Sequence, residues 1–416
     1  MLEYHLALVG LLVGTQVFFT VLAVTNVRHG ERAIGAAEKW LATDLGVDDP
    51  DRIRRMRRAD AGLSVLRSWL VLLAALLALY GGPLDGLVDW FAATDLGTVA
   101  SGTALFAVLA AGYAVLVAPI KAFEAFVVRA LLGASRPPLS AWAIGQTVRA
   151  AALLVGAAVA GAVVTAAATT WPDRWWLLGL GLVAVAVVVG QVFYPQLRHR
   201  VLDDPEPVTD GPVYDAVSEV FERAGQARPD VYRTTGGDHA SKMDAHVSGL
   251  GDGRVVLSDA MVEELSPEQL QGVVAHELAH LTNGHLWKGL VGVVAQAALA
   301  AALLGYLVDA AWTYAMFGVG SGATHVGLAL ALAWAYPVVR LTAPLRNAPT
   351  VAFERRADAF AREVLDDPEP LRSALARISG GLLIDPFPHR VYVLFHYTHP
   401  PIPARLRALR TETDEG

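Results

Sequence analysis

Apolar residues gather along this chain in long, nearly unbroken runs rather than in the short alternations of a soluble fold. Five such runs lie in the first half, at about 4–26, 62–81, 98–120, 148–170 and 175–195, and two come much later, at about 286–309 and 324–345. Each reaches the roughly 20 residues that carry a helix across a ~30 Å hydrocarbon core, so seven membrane helices are expected. The first run has no basic segment before it, and its positive charge, Arg28 and Arg32, follows it. It reads as a retained span rather than a cleaved leader. The pattern changes between the fifth and sixth runs. Asp203-Asp204-Pro205-Glu206-Pro207 is an acidic, proline-rich break. Residues 212–225 then read as an amphipathic helix, and Val231–Arg233 and Ala245–Leu250 as short strands. Gly251-Asp252-Gly253 turns the chain into Arg254–Ser258, a hairpin signal. Four regions result: a five-span membrane bundle at 1–200, a soluble segment at 201–285, two further spans within 286–345, and a soluble C-terminal segment at 346–416. The fold class is mainly α, polytopic in the membrane, with a small α+β part.

Composition agrees. Of 416 residues, 54% are hydrophobic and 18% charged, against about 25% charged in soluble domains. Such a chain is too apolar to be disordered. The absence of cysteine excludes disulfides, thiolate metal sites and cysteine nucleophiles. A net charge of −7 leaves no basic excess for nucleic acid, and the apolar runs make membrane lipid an expected partner. Arginine outnumbers lysine heavily, which suggests a prokaryotic source. The loop charges set an orientation. Eight basic residues separate spans one and two (Arg28, Arg32, Lys39, Arg52, Arg54, Arg55, Arg57, Arg58), while the next loop has none. Lys121, Arg129, Arg136 and Arg149 follow in the third loop, the fourth is short and carries only Arg174, and residues 310–323 carry no charge at all. This alternation places the N-terminus outside and both soluble segments on the cytoplasmic side of a multi-pass cell-membrane protein.

Chemistry concentrates in Leu265-Ser-Pro-Glu-Gln-Leu-Gln-Gly-Val-Val-Ala-His-Glu-Leu-Ala-His280. Ser266 is a natural N-cap, Pro267 suits the first helical position, and Gln269 completes a capping box. His276 and His280, four apart, project from one helical face, where two imidazoles can reach one Zn²⁺. Glu277 then faces the place of an attacking water. A catalytic zinc takes a third protein ligand from elsewhere. Phe353-Glu-Arg-Arg-Ala-Asp358 offers Glu354 as that ligand, with Asp358 one turn on to hold the other ring N–H of a ligand histidine.

These motifs, with His-Tyr-Thr-His-Pro-Pro-Ile-Pro-Ala-Arg at 396–405, stand in the order found in the integral-membrane zinc metalloproteases of the CAAX prenyl protease type I group, which this chain resembles. The smaller heat-shock membrane proteases of bacteria are related to that group. Upstream, Asp-Ala-His-Val-Ser-Gly-Leu-Gly at 244–251 resembles the group's edge-strand segment. The resemblance implies one Zn²⁺ on His276, His280 and Glu354, a gluzincin-type set, with Glu277 as general base. It also implies that His399 and Arg405 act at the substrate and the developing oxyanion, and that Asp244, Ala245 and His246 meet the substrate backbone. Asp244 departs from the group's usual asparagine, and His246 from its common aromatic. An ionised carboxylate only accepts hydrogen bonds, so substrate preference is where these changes would act.

The implied activity is zinc-dependent endopeptidase cleavage near the C-terminus of prenylated CAAX proteins. Turnover of misfolded membrane proteins is the alternative within the class; a catalytically silent zinc-binding scaffold or transporter is the alternative outside it. Among the remaining polar residues, His285 reads as a group at the membrane boundary. Gln16, Gln191 and Gln296 read as interhelical hydrogen-bonding groups, or as the lining of a water-filled chamber. Trp171, Trp175 and Trp176 read as interfacial anchors.

Overall fold

A computed structural model describes residues 1–94, 96–131, 136–189, 205–234, 243, 245–248, 253–381 and 385–410. Among the described residues, six helical stretches are long and apolar enough to cross a membrane: Leu2–Ala36, Pro50–Tyr80, Thr98–Leu131, Leu139–Thr170, His285–Asp309 and Thr324–Leu365. The last is a span with a polar extension, since the helix breaks after Leu341 and restarts at Pro344. The fifth run gives a described apolar helix of 14 residues, Trp175–Val188.

The chain divides into two compact units. The first holds Met1–Val27, Arg54–Val183 and Ala295–Ala343. Here many large apolar side chains face outward, such as Leu77, Val115 and Val155, as a lipid-facing surface requires. Without a hydrophobic drive between helices in lipid, close packing relies on small residues. Thr98–Phe123 meets Leu139–Thr170 in this way: a Cβ on Gly161 would lie 2.7 Å from the Gly102 carbonyl oxygen. Buried amides tie other helices together. Gln16 donates to Ser68 Oγ at 2.8 Å, and Gln296 to the Val339 carbonyl at 2.9 Å, so both serve interhelical bonding. Gln191 lies outside the described residues. Trp171 is exposed, but Trp175 is buried and Trp176 packs over Gly305, so only the first of the three sits as a surface anchor would.

The second unit holds Arg28–Ile53, Ala184–Val294 and Pro344–Gly416. Its sheet has the order β1-β2-β4-β3, with β1 at Pro205–Val208, β2 at Asp230–Thr234, β3 at Ala245–Ser248 and β4 at Arg254–Ser258. β3 and β4 are antiparallel, as the hairpin signal predicts; β2 and β4 run parallel. The acidic break proves to be a strand in part. Pro205 and Pro207 lack an N–H, and prolines are tolerated on an edge strand, which is where β1 sits. Behind the sheet, helix Pro212–Arg223 supplies Val217, Val220 and Phe221 to a core shared with Val255, Leu257, Leu270, Val274 and Leu278. Helix Glu38–Leu45 adds Leu41 and Leu45 to the same core.

The capping-box helix, Pro267–Thr282, runs through the middle of this unit, with both reciprocal cap bonds formed by Ser266 and Gln269. Helix Glu369–Gly381 crosses it at Gly272, where a Cβ would fall 2.3 Å from the Leu371 backbone nitrogen. Alanine is about 1 kcal/mol better than glycine inside a helix. Against backbone that cannot step aside, overpacking costs about 1–3 kcal/mol, and the clash wins. Gly272→Ala is therefore expected to lower the thermal midpoint of the detergent-solubilised protein; an unchanged or raised midpoint would mean that the two helices separate freely.

Candidate metal centre

One helical turn separates His276 from His280, and their Nε2 atoms come to 3.3 Å. Glu354, on helix Pro344–Leu365, enters from the side. Its Oε2 lies 3.4 Å from His276 Nε2 and its Oε1 3.4 Å from His280 Nε2. The three residues can each offer one ligand atom within 4.8 Å of the others. One turn after Glu354, Asp358 Oδ1 lies 2.9 Å from His276 Nδ1. Asp358 is held in turn by Arg405, whose Nε and Nη2 donate to its two oxygens at 3.0 and 2.6 Å. This pair is buried: Asp358 is 5% exposed and Arg405 7%.

The donor set fits a metal ion. With Nδ1 of His276 committed to Asp358, its Nε2 presents a lone pair to the site. Glu354 Oε2 is buried and, among the described residues, has no hydrogen-bond partner. A buried acceptor left in this state is costly, and a cation between these atoms and His280 Nε2 would satisfy all three. Electrostatics point the same way. Burial opposes charge on His276, but the Asp358 and Glu354 carboxylates outweigh it and hold its pKa above the ordinary value. Burial, with His276 alongside, pushes His280 down to about 4. The carboxylates thus favour a positive charge here, on His276 a proton that a metal ion would have to displace, while burial keeps the second imidazole in the neutral state a metal ligand needs.

The centre opens onto a cavity of about 660 Å³. Glu277 lines it beside the histidines, and so does His399, with Nε2 3.5 Å from Glu354 Oε1 and a largely exposed ring. One wall is apolar, made by Met261, Val273, Leu371, Leu375, Ile378 and Ile402. Ala245 of β3 also lines the cavity; the two-residue period of a strand sends His246 to the other face. Asp244 lies outside the described residues. In the sheet order, β3 is an edge strand.

Two residues sit differently from their sequence reading. Arg405 is not free in the cavity but clasped on Asp358, and its Nη1 is 4.0 Å from Glu354 Oε2. His285 stands at the start of the candidate span His285–Asp309 but is only 4% exposed, and its Nδ1 is 3.0 Å from His280 Nδ1. The signal that could have placed it is Gly284, whose φ of 61° marks a left-handed turn that directs the next side chain back toward the metal helix. The apolar wall was also missed, because its residues come from separate helices with ordinary core patterning.

Helices long and apolar enough to cross a membrane, together with a converging His-His-Glu group, define the class of membrane metallopeptidases. Residues 207–413 match the model of peptidase family M48, and residues 40–200 match that of the CAAX prenyl protease N-terminal region, five membrane helices. A Protease HtpX homolog of Bordetella avium (strain 197N) is 30% identical over 212 residues, which are 47% of this chain and 69% of that one. A CAAX prenyl protease 1 homolog of Arabidopsis thaliana is 26% identical over 227 residues, 54% of this chain; the match spans only 53% of the plant protein. The crystal structure of S. mikatae Ste24p aligns with a TM-score of 0.78 at 18% identity, covering 97% of this chain and 98% of that one, a likeness of fold. The chain belongs to peptidase family M48.

Proposed function

We propose that this protein is a zinc endopeptidase that cleaves extended peptide segments at the inner membrane face. The observation that carries the reading is the convergence of His276, His280 and Glu354 beside Glu277 in an open cavity. Two nitrogens and one carboxylate with an open fourth position suit catalytic zinc. When bound there, zinc supplies Lewis-acid polarisation of the scissile carbonyl and a more acidic water. Glu277 takes the proton of the attacking water and passes it to the leaving amine. His399, its ring largely exposed, donates to the developing oxyanion. Arg405 acts from behind, keeping Asp358 on His276. The open edge of β3 at Ala245 receives the substrate by strand addition, and the apolar wall takes a neighbouring apolar side chain. The basic first loop supports a cytoplasmic position for this apparatus.

The apolar cavity favours apolar sequence over any particular terminus, which suits turnover of membrane proteins. A second reading, processing of prenylated C-termini, draws on the CAAX prenyl protease 1 relatives and the match of residues 40–200. The two separate when purified protein is given a farnesylated CAAX peptide, its unprenylated twin and unfolded casein. Chelator-sensitive cleavage of all three at similar rates is expected; cleavage confined to the farnesylated peptide would assign the prenyl reading. Zinc retained with no cleavage of any substrate would favour a silent scaffold.

A further inference from the structure

His276 and His280 are matched ligands in the motif, but the groups behind them differ. An imidazole that offers its Nε2 lone pair to a metal carries its proton on Nδ1, and that N–H needs an acceptor to fix the ring and its tautomer. Behind His276 the acceptor is the Asp358 carboxylate. Behind His280, the Nδ1 neighbour at 3.0 Å is Nδ1 of His285. Only one of two facing ring nitrogens can hold a proton on the line between them. If His280 is to present Nε2 to the site, the proton belongs to His280 and the lone pair to His285.

The surroundings hold His285 in place for this. It opens helix His285–Asp309 directly after the left-handed Gly284. Its ring stacks on Phe353, with centroids 4.7 Å apart and planes 13° from parallel, and Phe353 immediately precedes Glu354. The imidazole is thus clamped between the second ligand histidine and the backbone that carries the third ligand. We propose that His285 is a positioning residue for the metal centre, an uncharged acceptor that fixes the orientation and tautomer of His280. This rests on the reading of His276, His280 and Glu354 as a metal site. An imidazole here does the task of a carboxylate without adding a third negative charge to Glu354 and Asp358.

Two substitutions separate this role from ordinary packing. His285→Phe keeps a ring to stack on Phe353 but removes the acceptor. His285→Asn gives up the stack but keeps an oxygen where Nδ1 stood. Full-length protein in detergent is loaded with zinc, and release to a chelating dye is followed beside the visible spectrum of the cobalt-substituted form. Loss of such an outer partner typically costs 10–100-fold in metal affinity. His285→Phe is expected to lose affinity by about that factor and to alter the cobalt spectrum, while His285→Asn stays close to wild type in both. Wild-type affinity and spectrum in His285→Phe would overturn the inference and leave the stack as the contribution; equal losses in both variants would also overturn it, because the acceptor kept in His285→Asn would then have restored nothing. A His276→Ala/His280→Ala double variant is the control. If wild type holds no more zinc than this control, the metal reading itself fails and the inference with it; if wild type holds zinc and only the His285 prediction fails, the metal reading stands.

Discussion

Glu277→Gln is expected to leave the protein folded and zinc-loaded while lowering kcat by about 10²–10⁴, the range supplied by a positioned general base. Glutamine matches glutamate in size and in helix propensity, so helix Pro267–Thr282 and its core face should not change. Glu277 is not among the three converging donors, so metal content should stay at the wild-type level. Elemental analysis and peptide turnover on the same preparation provide the check. Turnover within a few-fold of wild type would place the base elsewhere in the cavity, whereas loss of metal along with activity would mean that Glu277 supports the site structurally.

The second large effect concerns stability. Asp358→Ala removes the acceptor of His276 and leaves the Arg405 guanidinium buried without its bidentate partner. Breaking a buried ion pair by deleting one member costs about 3–5 kcal/mol, because the remaining charge is uncompensated. Removing both charges avoids most of that cost. In chelator-treated protein, Asp358→Ala should therefore lower the thermal midpoint far more than the Asp358→Ala/Arg405→Met double variant does. Equal losses in the two would show that packing around the pair, rather than the stranded guanidinium, sets the cost. The same variants separate two views of Arg405. A group acting only through Asp358 should affect metal retention, while one that also reaches the substrate should alter kcat at full metal loading.

Much of this was legible in the sequence because it is local. The capping box, the four-residue histidine spacing and the seven apolar runs each depend on neighbours within a helical turn or a continuous stretch. Glu354 and Asp358 were legible as a pair for the same reason. What the sequence hides is long-range. The parallel pairing of β2 with β4 has no local signature, and β1 was obscured by the two prolines that its edge position tolerates. Arg405 reads as a free cation until the fold brings Asp358 to it. His285 reads as a boundary residue, and nothing local shows that Gly284 turns it inward and Phe353 covers its face.

The three-segment make-up of the second unit has a consequence during synthesis. His276 and His280 leave the ribosome before the helices His285–Asp309 and Thr324–Leu341, and Glu354 only after both. At about 5–20 residues per second, several seconds pass in which the histidines exist without their carboxylate partner or Arg405. On the proposed reading, a nascent chain in that interval, or one truncated there, has the base and two ligands but no competent centre. Hydrolysis would then become available only once helices His285–Asp309 and Thr324–Leu341 have been made, and an unfinished copy would have no means of cutting itself or its neighbours.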